Sequence, residues 1–192
     1  QKFLLGKKKE WLESNVIFVS VTYQIKKGTY KIQIEHGMST MEFDLQRWSK
    51  IPELIEALGI NRILVNELVT YLYLVDKLHE ILKWKKEYQC KIVYYFHDYY
   101  ALCPRFNLMN EKGQYCNIPD LSYCESCAKP VLLGIGETDI SITQWREEWK
   151  NFLKRADQVI VFSENTKEII QRVWGDLSDN ILVQPHKVGY LR

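Results

Sequence analysis

The chain of 192 residues carries 26 basic and 24 acidic side chains, a net charge of +2, with 46% hydrophobic and 26% charged residues. Such a composition belongs to a folded domain with a core of its own and excludes disorder, and basic residues this scattered exclude the dense cationic face of a nucleic-acid reader. No apolar run approaches the length of a membrane span and no secretory signal opens the chain, which begins at Gln1, so a single globular domain over 1–192 is expected, incomplete at its ends.

Residues 16–23 (VIFVSVTY) and 30–34 (YKIQI) are rich in β-formers, with Lys27-Gly28-Thr29 as a turn between them. An antiparallel hairpin is the simplest reading; two strands lying apart is the alternative. From Asp44 the pattern turns helical: Ile51, Leu54, Ile55 and Leu58 share a face, Pro52 suits a first turn and Gly59 a stop. Ile60 to Leu68 is a candidate buried strand. Residues 70–88 form the clearest helix, with Leu74, Leu78, Ile81 and Leu82 on one stripe and lysines at the carboxyl end, where the helix dipole favours them. It leads into the apolar run Lys91–Phe96, so 60–96 reads as a β-α-β unit.

His97 and Asp98 follow that run directly and therefore sit at the carboxyl end of the strand, the edge where open α/β sheets bind ligands. Beyond them a segment over 97–140 contains Pro104, Gly113 and Pro119 and no helical period, and is expected to be a long loop. It holds Cys103, Cys116, Cys124 and Cys127 in the spacing C-x12-C-x7-C-x2-C, while Cys90 lies outside. Four thiols in one loop suit tetrahedral zinc, and the C-x2-C pair is the more specific half of that signal. Two disulfides, or simply small buried groups, are the alternatives. A zinc bound by all four would be a structural staple with no open position for substrate.

After the loop, Ile142, Trp145, Trp149, Phe152 and Leu153 mark a helical face ending near Arg155. A strand is expected at 158–162, then a helix capped by Ser163 with Ile169, Ile170 and Val173 inward and Gly175 past its end. A last strand at 180–184 stops at Pro185-His186. Strands alternating with helices predict a Rossmann-like α/β fold, a parallel sheet with helices on both faces.

The phrases FHDYYALCPRFNLMNEKGQYC, the later C-x-x-C, RADQVIVFSENTKEII and ILVQPH together resemble the amino-terminal domain of bacterial glycosyltransferases of the GT-B fold, within them the family 4 or group 1 enzymes. The resemblance spans roughly 60–186. It implies transfer of a sugar from a nucleotide diphosphate sugar to a glycan acceptor in polysaccharide synthesis, in the cytoplasm or at the inner membrane face. In that family the amino-terminal domain holds the acceptor and a carboxyl-terminal domain holds the donor. The donor domain's paired glutamates, separated by seven residues, are absent here, as is a G-x-G-x-x-G, so the expected partner is a missing donor-binding domain.

On this resemblance His97 is the catalytic candidate, a cleft histidine facing the donor sugar or the reacting hydroxyl. Asp98 is the second, orienting an acceptor hydroxyl or capping the loop. Tyr99, Arg105, Ser163 and His186 are candidates for substrate binding, though Arg105 and the aromatics Tyr99, Tyr100 and Phe106 also suit packing of the loop base, and Ser163 a helix cap. Two rival readings are a zinc-stapled binding domain without chemistry and a small hydrolase using His97 with Asp98; the hydrolase lacks a G-x-S-x-G elbow.

Overall fold

The computed structural model describes residue 12, residues 15–177 and residues 180–185. The chain divides into two compact units, Gln1–Ile60 and Asn61–Arg192.

In the first unit, β1 (Phe18–Gln24), β2 (Thr29–His36) and β3 (Ser39–Leu45) form an antiparallel sheet in sequence order. The expected hairpin is β1–β2: Gly28, at φ 67°, closes a turn in which the N–H groups of Lys27 and Gly28 donate to the Gln24 carbonyl at 3.0 and 2.8 Å. The expected onset of helix at Asp44 is corrected. Met41, Phe43 and Leu45 alternate with Thr40, Glu42 and Asp44, a strand period, and the two-residue turn Gly37-Met38 returns this strand along β2. Asp44 accepts hydrogen bonds from Gln24 at 2.7 Å and Lys27 at 3.0 Å, fastening the end of β3 to the first turn. Helix α1 (Ile51–Ala57) begins later, with Pro52 in its first turn, Ile51 and Ile55 buried, and Gly59 at φ 59° beyond its end.

The second unit is a four-stranded parallel sheet in the order β4 (Arg62–Val65), β5 (Lys91–Phe96), β6 (Gln158–Val161) and β7 (Ile181–Val183). Helices α2 (Leu74–Glu87), α3 (Leu121–Gly134), α4 (Ile142–Arg155) and α5 (Glu164–Val173) flank it, giving the Rossmann-like α/β class. Five of the six residues of β5 are buried, the pattern of a strand covered on both faces. Tyr94 and Phe96 point one way, where the Tyr94 ring lies edge-on to Trp149 at 5.4 Å and Phe152 at 6.3 Å of α4. Tyr95 points the other way and stacks on Phe162 at 6.4 Å. The helical face read from the sequence of α4 is fully buried: Ile142, Trp145, Trp149, Phe152 and Leu153 are all 0% exposed.

The irregular loop expected over 97–140 is also corrected, because α3 occupies its second half. Asp120 caps this helix by accepting the Tyr123 N–H at 3.0 Å, and Cys124, Ala128 and Leu132 follow at four-residue intervals as its buried stripe. Pro130 inside the helix and the exposed Leu121 and Leu133 blur the period in the sequence. Cys124 and Cys127 are therefore helical residues one turn apart.

Candidate functional site

The carboxyl edge of the parallel sheet gathers the ends of β5 and β6. Continuing the alternation of β5, His97 leaves on the side of Tyr95, exposed, its imidazole stacked on Phe162 at 4.6 Å and 27° and on Tyr95 at 6.2 Å. Asp98 leaves on the opposite side, toward Tyr94 and Tyr100. The two candidates therefore leave the strand end on opposite sides.

Asp98 is half-buried, and one of its oxygens accepts the Tyr100 N–H at 2.8 Å, a local turn that folds the chain back after the strand. Burial pushes its carboxyl up from 3.8 to about 6, with a smaller push from Glu67 that the Tyr100 N–H opposes. The Tyr100 ring is 2% exposed, edge-on to Trp145 at 5.2 Å, and its buried hydroxyl has no hydrogen-bond partner. Desolvation, with Glu137 and Asp98 nearby, raises that phenol. Asn66, after β4, also has a side-chain oxygen buried without a partner. The carboxyl edge thus holds two buried polar atoms without a hydrogen-bond partner.

The other candidates take structural positions. The Tyr99 carbonyl accepts the N–H groups of Leu102 and Cys103 at 2.9 and 3.0 Å, and its own N–H donates to Phe106 at 2.7 Å. Arg105 donates through Nε to the Cys127 carbonyl at 3.3 Å, joining the segment after β5 to α3. The Ser163 hydroxyl accepts the Thr166 N–H at 3.1 Å, the cap expected of it. His186 lies outside the described residues.

Glu137 and Arg146 were not singled out by sequence. A Glu137 oxygen accepts the Val75 N–H at 3.0 Å, so a carboxylate from beyond α3 occupies the amino end of α2. It also lines a cavity of about 240 Å³ between the end of α3 and the start of α4, with Glu125, Lys129, Asp139 and Gln144. Glu125 there accepts the Ile142 N–H at 2.9 Å, so two of the cavity's carboxylates already serve helix ends. Only the helical period of α4, which puts Arg146 beside Trp145 and Trp149, hinted that this arginine is buried.

All five cysteines are free thiols. Cys103 lies near Cys116 and Cys124, and burial pushes its thiol up to about 11 against a hydrogen bond from the Arg105 backbone and the smaller pull of Arg146. The Cys124 sulfur accepts from the Arg146 guanidinium at 3.5 Å and lies 3.6 Å from the Pro119 carbonyl. Cys127 is beside Arg105 and Glu111, with its thiol raised chiefly by burial. Among the described residues no three candidate ligands stand ready for a metal ion.

Compared with protein-family models, curated proteins and solved structures, the chain matches none. Among the described residues no helix is long and apolar enough to cross a membrane.

Proposed function

We propose that the chain is the acceptor-side domain of a GT-B glycosyltransferase of the family 4 kind, working in the cytoplasm or on the inner membrane face. It helps pass a sugar from a nucleotide diphosphate sugar to a glycan acceptor, the donor being held by a second domain. The observation that carries this reading is the exposed His97 imidazole lying on Phe162 at the carboxyl edge of the sheet. An aromatic surface beside an imidazole suits a sugar, whose apolar face covers a ring while its hydroxyls meet a ring nitrogen.

The ends of the helices support the acceptor side over the donor side. Diphosphates bind at helix amino ends where glycines allow close approach. Here Glu137 fills the end of α2 and Ser163 caps α5, with no glycine in either turn.

The test is His97→Ala in the two-domain enzyme. Transfer falls about 100-fold or more, in the range of a lost transition-state donor, while donor affinity stays unchanged. Undiminished transfer, or tighter binding of a nucleotide sugar than of oligosaccharides by this chain alone, overturns the reading.

A zinc-stapled binding domain without chemistry is the second reading, favoured by thiols that gather around α3, away from the His97 side of the edge. Glycan binding by a chain that never supports transfer, whatever donor domain joins it, would establish it instead.

A further inference from the structure

Arg146 is 8% exposed, on the buried face of α4. Its Nε donates to the Leu102 carbonyl at 2.9 Å and an Nη donates to the Cys124 sulfur at 3.5 Å. No carboxylate pairs with it among the described residues. A buried guanidinium remains charged, and leaving that charge uncompensated is costly. A protonated thiol is a weak, neutral acceptor and does not balance it.

The position of this cation is informative. It bridges the two segments that carry the cysteines: Leu102 precedes Cys103, and Cys124 begins the C-x2-C of α3. A second tie, Arg105 to the Cys127 carbonyl, holds the same segments together from the other side. Cys116 is brought back by its N–H to Leu108 at 2.9 Å, beside the bridge between Met109 and Tyr115. Cys103 consequently lies close to both Cys116 and Cys124. Cys127, three residues on, shares a helix face with Cys124.

We infer that Cys103, Cys116, Cys124 and Cys127 bind one zinc ion as thiolates, and that Arg146 is the buried cation that balances the charge of that centre. Binding releases the thiol protons to solvent, and four thiolates around a divalent ion leave a net negative centre, which a guanidinium donating to one sulfur stabilises. Among the described residues no three ligands stand ready for an ion, so zinc itself draws the four thiols together, Cys127 turning from Glu111 toward Cys124. Arg146 acts on the metal through the sulfur, as groups bonded to metal ligands do. The inference is independent of the sugar-transfer reading, and its failure leaves that reading untouched.

The test uses the whole chain purified under reducing conditions with zinc supplied. Metal analysis gives one zinc per chain, and replacement by cobalt(II) gives the charge-transfer and d–d absorption of a tetrahedral thiolate site. Alkylation read by mass spectrometry finds the four cysteines protected by zinc and labelled once a chelator removes it. Arg146→Met weakens zinc by about 10- to 100-fold, the usual effect of losing such a partner. Because that variant removes a buried group, Cys127→Ser, at a partly exposed position, serves as the second: it folds, binds cobalt more weakly and shifts the spectrum to three thiolates. Substoichiometric zinc, labelling indifferent to zinc, or disulfides among the four overturns the metal site. Zinc affinity unchanged in a folded Arg146→Met protein overturns the role of the arginine.

Discussion

Glu137 accepts the backbone N–H of Val75 across 62 residues of sequence, so the amino end of α2 is closed by the chain's own carboxylate. Near the ligand-binding edge of a parallel sheet, that end is where a Rossmann-like fold ordinarily receives a phosphate. Glu137 stands in for the anion.

Glu137→Gln keeps an acceptor but removes the charge that complements the helix dipole, and lowers stability by about 0.3–1 kcal/mol; Glu137→Ala, which also frees the N–H, costs about 1–2 kcal/mol. Urea denaturation of the two variants measures the difference. Equal losses would mean that charge contributes nothing at this helix end.

Asp98 makes stability depend on pH in the direction opposite to most carboxylates. Its folded pKa is raised to about 6 by burial, so between about 4 and 6 the native state holds the proton more firmly than the unfolded chain. This contribution is complete below about pH 4 and is lost as pH rises to 6, up to about 3 kcal/mol in all. Asp98→Asn retains an oxygen for the Tyr100 N–H and cannot ionise. Melting temperatures from pH 4 to 8 therefore show the variant gaining on the wild type as pH rises, and parallel curves would refute the assignment.

Gly136 is at φ 87°, and a Cβ there would stand 2.6 Å from the Tyr73 ring. Gly136→Ala costs about 1–2 kcal/mol in backbone strain, and about as much again unless the ring swings aside. Adding Tyr73→Ala recovers the ring's share but not the strain. Additive effects in the double-mutant cycle would show that no contact forms.

Trp149 is 0% exposed and packs against Tyr94, Tyr100 and Phe152. Its replacement by alanine costs about 3–5 kcal/mol. Its indole N–H is buried without a partner, so Trp149→Phe discards an unsatisfied donor along with volume and costs less than half as much. Comparable losses in chemical denaturation would show that the N–H is bonded in solution.

Most of the parallel sheet was legible because its signals are local: an unbroken apolar run for β5, a clean helical stripe with terminal lysines for α2, and a serine before Glu164 for α5. β3 was hidden by reading Asp44 as a helix start. It is a solvent-facing strand residue in an alternation set by Met41, Phe43 and Leu45, and only the pairing with β2 settles the period. Helix α3 was hidden because its buried stripe consists of Cys124, Ala128 and Leu132, small groups that carry little hydropathic contrast. Its cap, Asp120 before Leu121, was the available signal. The neighbours of the edge were least legible: Glu137 meets Val75, and Arg146 meets Leu102 and Cys124, through tertiary contacts that no periodicity encodes.

The four parallel strands pair in the order in which they are synthesised. Each new strand can dock on the edge left by its predecessor as it leaves the ribosome, and no gap must be held open for a later one. The crossovers are unequal, however. The segment 97–157 must close before β6 finds β5, far more chain than separates β4 from β5 or β6 from β7. That closure carries the largest entropy cost of the three crossovers. Until it is made, the nascent β5 offers an apolar edge to any chaperone or neighbouring chain that reaches it first.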